Sequence, residues 1–147
     1  MYRFLKHTAD VLFEVEASSL NMLFEDAGKA VMATMAELKT VKPRVKKEIK
    51  LKAGNIEDLL YDFLAELVYL KDSEFTMFSD FNVKVDEKNV SLSAEIMGDK
   101  IDAVKQKLGV DVKAVTMHMF SVEKKLLGKA SAKTRRYKWF ARVLLDV

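Results

Sequence analysis

The residues best equipped for chemistry lie at the two ends of the chain. Near the start, His7-Thr8-Ala9-Asp10 opens an alternating run, Val11 to Ala17, and at the far end a second apolar run closes on Leu145-Asp146-Val147. If the two runs are neighbouring strands, Asp10, Asp146 and the carboxylate of Val147 bring hard oxygen donors together, which is the donor chemistry of calcium or magnesium. Each acid also has a plain structural reading, as a turn cap or as the last residues of a strand.

Only two histidines are present, His7 and His118, and imidazole is the side chain readiest for proton transfer near neutral pH. Strand parity puts His118 on one face with Val112, Ala114, Thr116 and Phe120, and that face reads as inward. A histidine on an apolar face is more often a hydrogen-bonded core residue than a catalyst. The chain has no cysteine, hence no thiolate nucleophile, no disulfide and no zinc–thiolate site. No serine sits in a Gly-x-Ser-x-Gly turn, and a zinc triad lacks a third nitrogen or sulfur ligand. Nothing beside Asp10 or Asp146 would desolvate one acid of a glycosidase-type pair. Hydrolase chemistry is poorly supported.

Charge is unevenly placed. From Glu123 onward there are eight Lys or Arg against two acids, a net of +6, which leaves −3 on residues 1–122. A basic C-terminal segment on a mildly acidic body suits a polyanion or an acidic protein surface, and it equally suits a solvated lysine-rich face. Lys133, Arg135 and Arg136 stand beside Tyr137, Trp139 and Phe140, and interleaved cations and rings can hold single-stranded RNA. Trp139 also alternates with Ala141, Val143 and Leu145, the pattern of a core position. The methionines read as gap-fillers.

The elements that must position these groups follow from periodicity. With 147 residues, half of them hydrophobic, the chain is long enough for one domain with a real core. Residues 2–5 and 10–17 read as strands, the second with Val11, Phe13, Val15 and Ala17 on one face. Ser18 or Ser19 caps a helix whose buried stripe runs Leu20, Leu23, Phe24, Ala27, Val31, Met35, Leu38, and Pro43 forbids its continuation. Residues 44–53 form a lysine-studded strand of the kind found at sheet edges. Asn55 caps a second helix with Ile56, Leu59, Leu60, Phe63, Leu67 and Leu70 inward, its early acids suiting the helix dipole.

A hairpin follows, turning at Glu87-Lys88-Asn89. Residues 98–109 read either as a short helix capped by Asp99 or as a loop over the sheet. Strands are expected over 110–122 and 139–145, with a basic mobile loop over 126–137 between them. Helices and strands do not alternate regularly, so the fold class is α+β: a single domain over 1–147, a mixed or antiparallel sheet packed with two main amphipathic helices. No apolar run is long enough to span a membrane, and no signal-peptide core is present. That composition suits the cytoplasm.

Four segments in order carry a resemblance: His7-Thr8-Ala9-Asp10, Leu23-Phe24-Glu25-Asp26-Ala27, Val112-Lys113-Ala114-Val115-Thr116-Met117-His118, and Leu144-Leu145-Asp146-Val147. Together they resemble the archease family over essentially the whole chain, with Met117 standing where the family usually has tyrosine. The resemblance implies an accessory protein and not an enzyme. Its partner would be the tRNA-splicing RNA ligase that joins 2′,3′-cyclic phosphate or 3′-phosphate ends to 5′-hydroxyl ends. The expected action is to promote guanylylation of the ligase's active-site histidine and to allow multiple turnover. The resemblance also implies a divalent metal, calcium before magnesium or manganese, at Asp10, Asp146 and Val147, with His7, Lys113 and His118 in supporting places. Lys133, Arg135 and Arg136 are the candidate contacts to RNA or partner. The alternative function is an RNA-binding, chaperone-like modulator of a tRNA cytosine methyltransferase, which would contact tRNA directly.

Overall fold

A computed structural model describes residues 1–6, 10–127 and 136–147. Among the described residues, seven strands and two helices follow one another as β1 (Tyr2–Leu5), β2 (Val11–Ala17), α1 (Leu20–Met35), β3 (Val45–Lys52), α2 (Ile56–Glu74), β4 (Thr76–Asp86), β5 (Ser91–Lys100), β6 (Ala114–Leu127) and β7 (Arg136–Asp146), with a 3₁₀ turn at Leu38–Thr40. The α+β class is as expected. Every pairing among the described residues is antiparallel, and the strands divide into two sheets ordered β1-β2-β7-β6 and β3-β5-β4.

Both helices start where a short polar side chain can satisfy a free amide. The Ser19 hydroxyl accepts from the Met22 N–H at 3.2 Å, and the Asn55 carbonyl oxygen accepts from the Asp58 N–H at 2.8 Å. Between helices and sheets lies one core in which Phe13, Phe24, Phe63 and Phe78 are fully buried. At the contact of α1 with β4 the helix carries Gly28, where an added Cβ would come within 2.9 Å of the Phe81 ring. That closeness lets the helix reach the strand. Removing large side chains from such a core typically costs about 2–5 kcal/mol each.

Each helix also covers a sheet edge. β4 lies at one edge of its sheet, and the outward N–H groups of Val83 and Val85 donate to Glu25 Oε2 (2.9 Å) and Asn21 Oδ1 (2.8 Å) of α1. β6 lies at an edge of the other sheet, and its Val122 N–H donates to Glu57 Oε1 of α2 at 3.2 Å. Pairing these amides with acceptors removes a template for strand addition. The lysine-rich β3 is the remaining edge of the small sheet, as its pattern foretold.

Three expectations are corrected, and one left open between two forms is decided. Helix α1 stops at Met35: Ala36 turns to extended geometry and bridges Leu108 across the chain, so Leu38 falls in the 3₁₀ turn and not on the helix stripe. Of residues 98–109, the first three end β5 and the rest take the loop form and not the short helix; the Asp102 carboxylate accepts from the Val104 and Lys105 amides, so Asp102 and not Asp99 organises the turn. The penultimate strand begins at Ala114, later than 110, and runs to Leu127. Its partner begins at Arg136, so Leu126, Leu127, Arg136 and Tyr137 belong to a paired hairpin and not to a loop. Residues 128–135 of that expected loop lie outside the described residues.

Candidate metal end and basic ribbon

Asp10 and Asp146 do end on neighbouring strands. The β2–β7 ladder closes at Val11↔Leu145, and one residue further along each chain stand Asp10 and Asp146. Alternation places both on the side of the sheet turned away from the helices, since Val11 packs on the core and Leu145 is fully buried within it. Asp146 is also the register partner of Ala114 on β6, and its carbonyl accepts the Lys113 N–H at 2.8 Å. Two carboxylates and the main chain of Val147 therefore share the end of a three-strand row. Asp146 is exposed; Asp10 and Val147 are half-buried.

The donor set is hard oxygen throughout, which fits calcium, magnesium or manganese and not a thiolate- or imidazole-preferring ion. Among the described residues no group of three His, Asp or Glu side chains stands together in a metal-holding arrangement. A cation here would thus be held by two carboxylates and completed by main-chain oxygen, water or a partner. The next row on the same face is apolar: Leu12 and Leu144 are 5% and 3% exposed. Carboxylates beside a dry row attract a cation more strongly than carboxylates in open water.

The supporting residues separate. Lys113 is exposed at this end, joined to it through its main chain. His118 is exposed and does not face the core, contrary to the parity expectation. Between Thr116 and Ser121 five residues of β6 advance against two of β7, and Met119 takes a left-handed φ of 58°. The bulge breaks the alternation and leaves Met117, His118 and Met119 outside. His7 lies outside the described residues, as do Lys133 and Arg135.

A feature the sequence did not disclose sits behind the acid end. Lys71, on the last turn of α2, is only 4% exposed, and its ammonium donates to Asp111 Oδ1 (2.7 Å) and the Val112 carbonyl (2.9 Å) and pairs with Asp72. Lysine is seldom this deeply buried unless paired. The only sequence signal is its place directly after Leu70 on the apolar stripe.

Farther along the outer face, Glu14 accepts from Arg142 (2.6 Å) and Arg3 (2.9 Å), and Glu16 accepts from Lys138 at 2.6 Å. Glu14, Arg3 and Arg142, with Ser121, Glu123, Lys125 and Phe140, line a groove of about 370 Å³. Its guanidinium groups are already engaged by Glu14, so the groove is a salt-bridged surface and not an open anion site.

At the opposite end from Asp10, β6 and β7 outrun the sheet. β2 makes its last pair at Ala17↔Trp139, yet β6 and β7 stay paired through Lys125↔Lys138, Leu126↔Tyr137 and Leu127↔Arg136. On this ribbon the Lys124 ammonium stands 4.9 Å from the Tyr137 ring centre and 5.3 Å from that of Trp139, and Lys125 stands 5.1 Å from Phe140. Trp139 is half-buried against the core, which its alternation with Ala141, Val143 and Leu145 foretold only in part.

A two-sheet α+β domain with an acidic sheet end and a basic hairpin is thereby defined, and no described helix is long and apolar enough to cross a membrane. The model of the Archease protein family (MTH1598/TM1083) matches residues 2–147, and the chain belongs to that family. The protein archease of Sulfurisphaera tokodaii is 36% identical over 84% of this chain and 89% of its own length. That of Pyrococcus abyssi is 31% identical over 97% of this chain and 95% of its own. The solution structure of Methanobacterium thermoautotrophicum protein 1598 superposes with a TM-score of 0.77 at 32% identity, covering 99% of this chain and 98% of that one.

Proposed function

We propose that this chain is an accessory protein of the tRNA-splicing RNA ligase: it promotes guanylylation of the ligase and its multiple turnover, and contributes a divalent-cation site at the shared end of β2 and β7. The observation that carries the reading is the adjacency of Asp10 and Asp146 across the β2–β7 ladder, in a chain of the archease family.

Asp10 and Asp146 would hold the cation, with oxygen from the Val147 main chain. A bound calcium, magnesium or manganese ion supplies positive charge that neutralises phosphate oxygens. The chain's own contribution is to fix the two carboxylates. Asp10 follows from the β2 register and Asp146 from pairing on both sides, with β2 through Leu145 and with β6 through Ala114 and Lys113. Two protein carboxylates leave most of a hard ion's six to eight positions open. An accessory protein that presents its ion to a second protein's nucleotide needs such vacant positions.

The test is single-turnover transfer of GMP onto the cognate ligase, in divalent metal, with a catalytic trace of this protein or of its Asp10→Ala and Asp146→Ala variants. Acceleration by the native chain and its loss in both variants is the expected result. No acceleration by the native chain overturns the activator reading. Full acceleration by folded variants overturns the metal contribution alone.

A further inference from the structure

We infer that the β6–β7 ribbon is a binding surface for single-stranded RNA, with phosphates on Lys124, Lys125, Arg136 and Lys138 and bases on the faces of Tyr137 and Trp139. The surface is separate from the Asp10–Asp146 end. The choice of RNA over DNA alone rests on the proposed ligase partnership.

Three observations converge. First, the ribbon is a projection. Its last three register pairs, from Lys125↔Lys138 to Leu127↔Arg136, have no register partner on β2, and residues 124–127, Arg136 and Tyr137 are exposed. Second, its charge is mostly of one sign: Lys124, Lys125, Arg136 and Lys138 stand against Glu123, which pairs with Lys125, and Glu16 of β2, which pairs with Lys138, and such single exposed pairs are weak enough for a phosphate to replace. The four cations lie within the segment that carries the chain's positive excess. Third, the cations and rings are interleaved at contact distance. Direct register partners share a face, so Lys124 lies beside Trp139 and Leu126 beside Tyr137 on one side, while Lys125 and Lys138 share the other. Lys124 caps both rings of its face.

An acidic protein would use the cations and leave the rings idle. A duplex hides the faces of its bases. A single strand uses both, since its phosphates pair with ammonium and guanidinium groups while unstacked bases lie on aromatic rings. Tyr137 is 43% exposed and offers such a face. A phosphate that draws Lys124 aside exposes the rings beneath it.

Trp139 is the single tryptophan of the chain, so binding reports itself. The full chain is titrated with oligouridylate, without any ligase, and Trp139 fluorescence is followed at several salt concentrations. Expected is a saturable quench whose affinity falls roughly 20- to 50-fold for a fourfold rise in salt, the loss that three or four single-strand phosphate contacts give. Lys124→Gln with Arg136→Gln should flatten that dependence. Tyr137→Leu, at a partly exposed site that should not disturb folding, should weaken binding about five- to a hundredfold at constant salt. The inference is overturned by absence of binding, and by heparin or duplex RNA binding as tightly as oligouridylate with Tyr137→Leu silent. Preference for oligothymidylate over oligouridylate overturns the assignment to RNA. None of these results touches the guanylylation assay, so the two readings fail separately.

Discussion

The Lys71 ammonium donates to the Asp111 carboxylate at 2.7 Å, and this fastens the last turn of α2 to the residues that lead into β6. The neighbouring links continue the connection: Lys71 also donates to the Val112 carbonyl, and the next residue, Lys113, donates its N–H to the Asp146 carbonyl. Burial opposes the charge on Lys71, but the hydrogen bonds it donates to Asp111 and Asp72 outweigh it and hold the ammonium's pKa above its ordinary value. A raised lysine pKa contributes stability that is fully present below the unfolded value, about 10.4, and is lost as pH rises through the folded one.

Lys71→Met should therefore cost about 1–3 kcal/mol near neutral pH, chiefly by leaving the Val112 carbonyl without its donor. It should also flatten the alkaline decline in stability. Urea denaturation of both proteins from neutral to strongly alkaline pH measures this. Parallel alkaline declines would show that the stabilising charge lies elsewhere.

On the outer face the same logic runs to the acid side. Hydrogen bonds from Arg142, and then Arg3, hold the Glu14 carboxyl below its ordinary value. Its contribution is present above the unfolded pKa of about 4.5 and is lost as pH falls through the folded one. Glu14 is partly exposed, so the bridges are worth at most about 1 kcal/mol. Glu14→Gln should lower the melting temperature slightly at neutral pH and match the native chain in acid. A constant gap between the two proteins across that range would refute the assignment.

Local signals made much of this fold legible, and long-range ones hid the rest. Ser19 and Asn55 announce their helices because a cap is a contact within three residues. The lysines of β3 announce an edge because lysine discourages the pairing of a further strand. Asp10 and Asp146 could be suspected of meeting because each follows or precedes a strand whose alternation is plain. The end of α1 was hidden because Ala36 leaves the helix to meet Leu108, far along the chain. His118 was misplaced because a bulge, invisible to period-two counting, turns Met117 to Met119 outward. Leu126, Leu127, Arg136 and Tyr137 read as loop because the segment they flank is basic and small; the β6–β7 pairing that holds them is not written in either strand alone.

Helix α2 ends on Phe75, which takes a left-handed conformation (φ 51°, ψ 45°) with its ring 68% exposed. Glycine is the usual occupant of that position because it has no Cβ to crowd the carbonyl. The Phe75 carbonyl, which accepts from the Ile101 N–H at 2.8 Å, is unaffected by a side-chain change. Phe75→Gly should raise stability by up to about 1 kcal/mol, near 2–4 °C in melting temperature for a chain of this size. Phe75→Val, β-branched, should lower it. Calorimetry of the three proteins decides, and a loss of stability in Phe75→Gly would show that the exposed ring makes a contact worth more than the strain.

The two acids at the strand ends make a prediction that needs no partner protein. Like charges on adjacent strands destabilise by a few tenths to about 1 kcal/mol, and Asp10 and Asp146 are placed to do so. In chelator, Asp10→Asn and Asp146→Asn should each therefore melt slightly above the native chain. Adding a divalent cation should reverse the order, because an ion bound only to the folded native protein stabilises by RT ln(1 + [M]/Kd), about 2.7 kcal/mol at a hundredfold excess over Kd. Calcium should act at lower concentration than magnesium: two carboxylates and main-chain oxygen form an irregular set, which calcium accepts and the strict octahedron of magnesium does not. Melting curves in chelator, calcium, magnesium and manganese give the comparison. Equal cation shifts in native and variant chains would place any bound ion elsewhere, and lower melting of both variants in chelator would mean that the carboxylates serve the fold and not an ion.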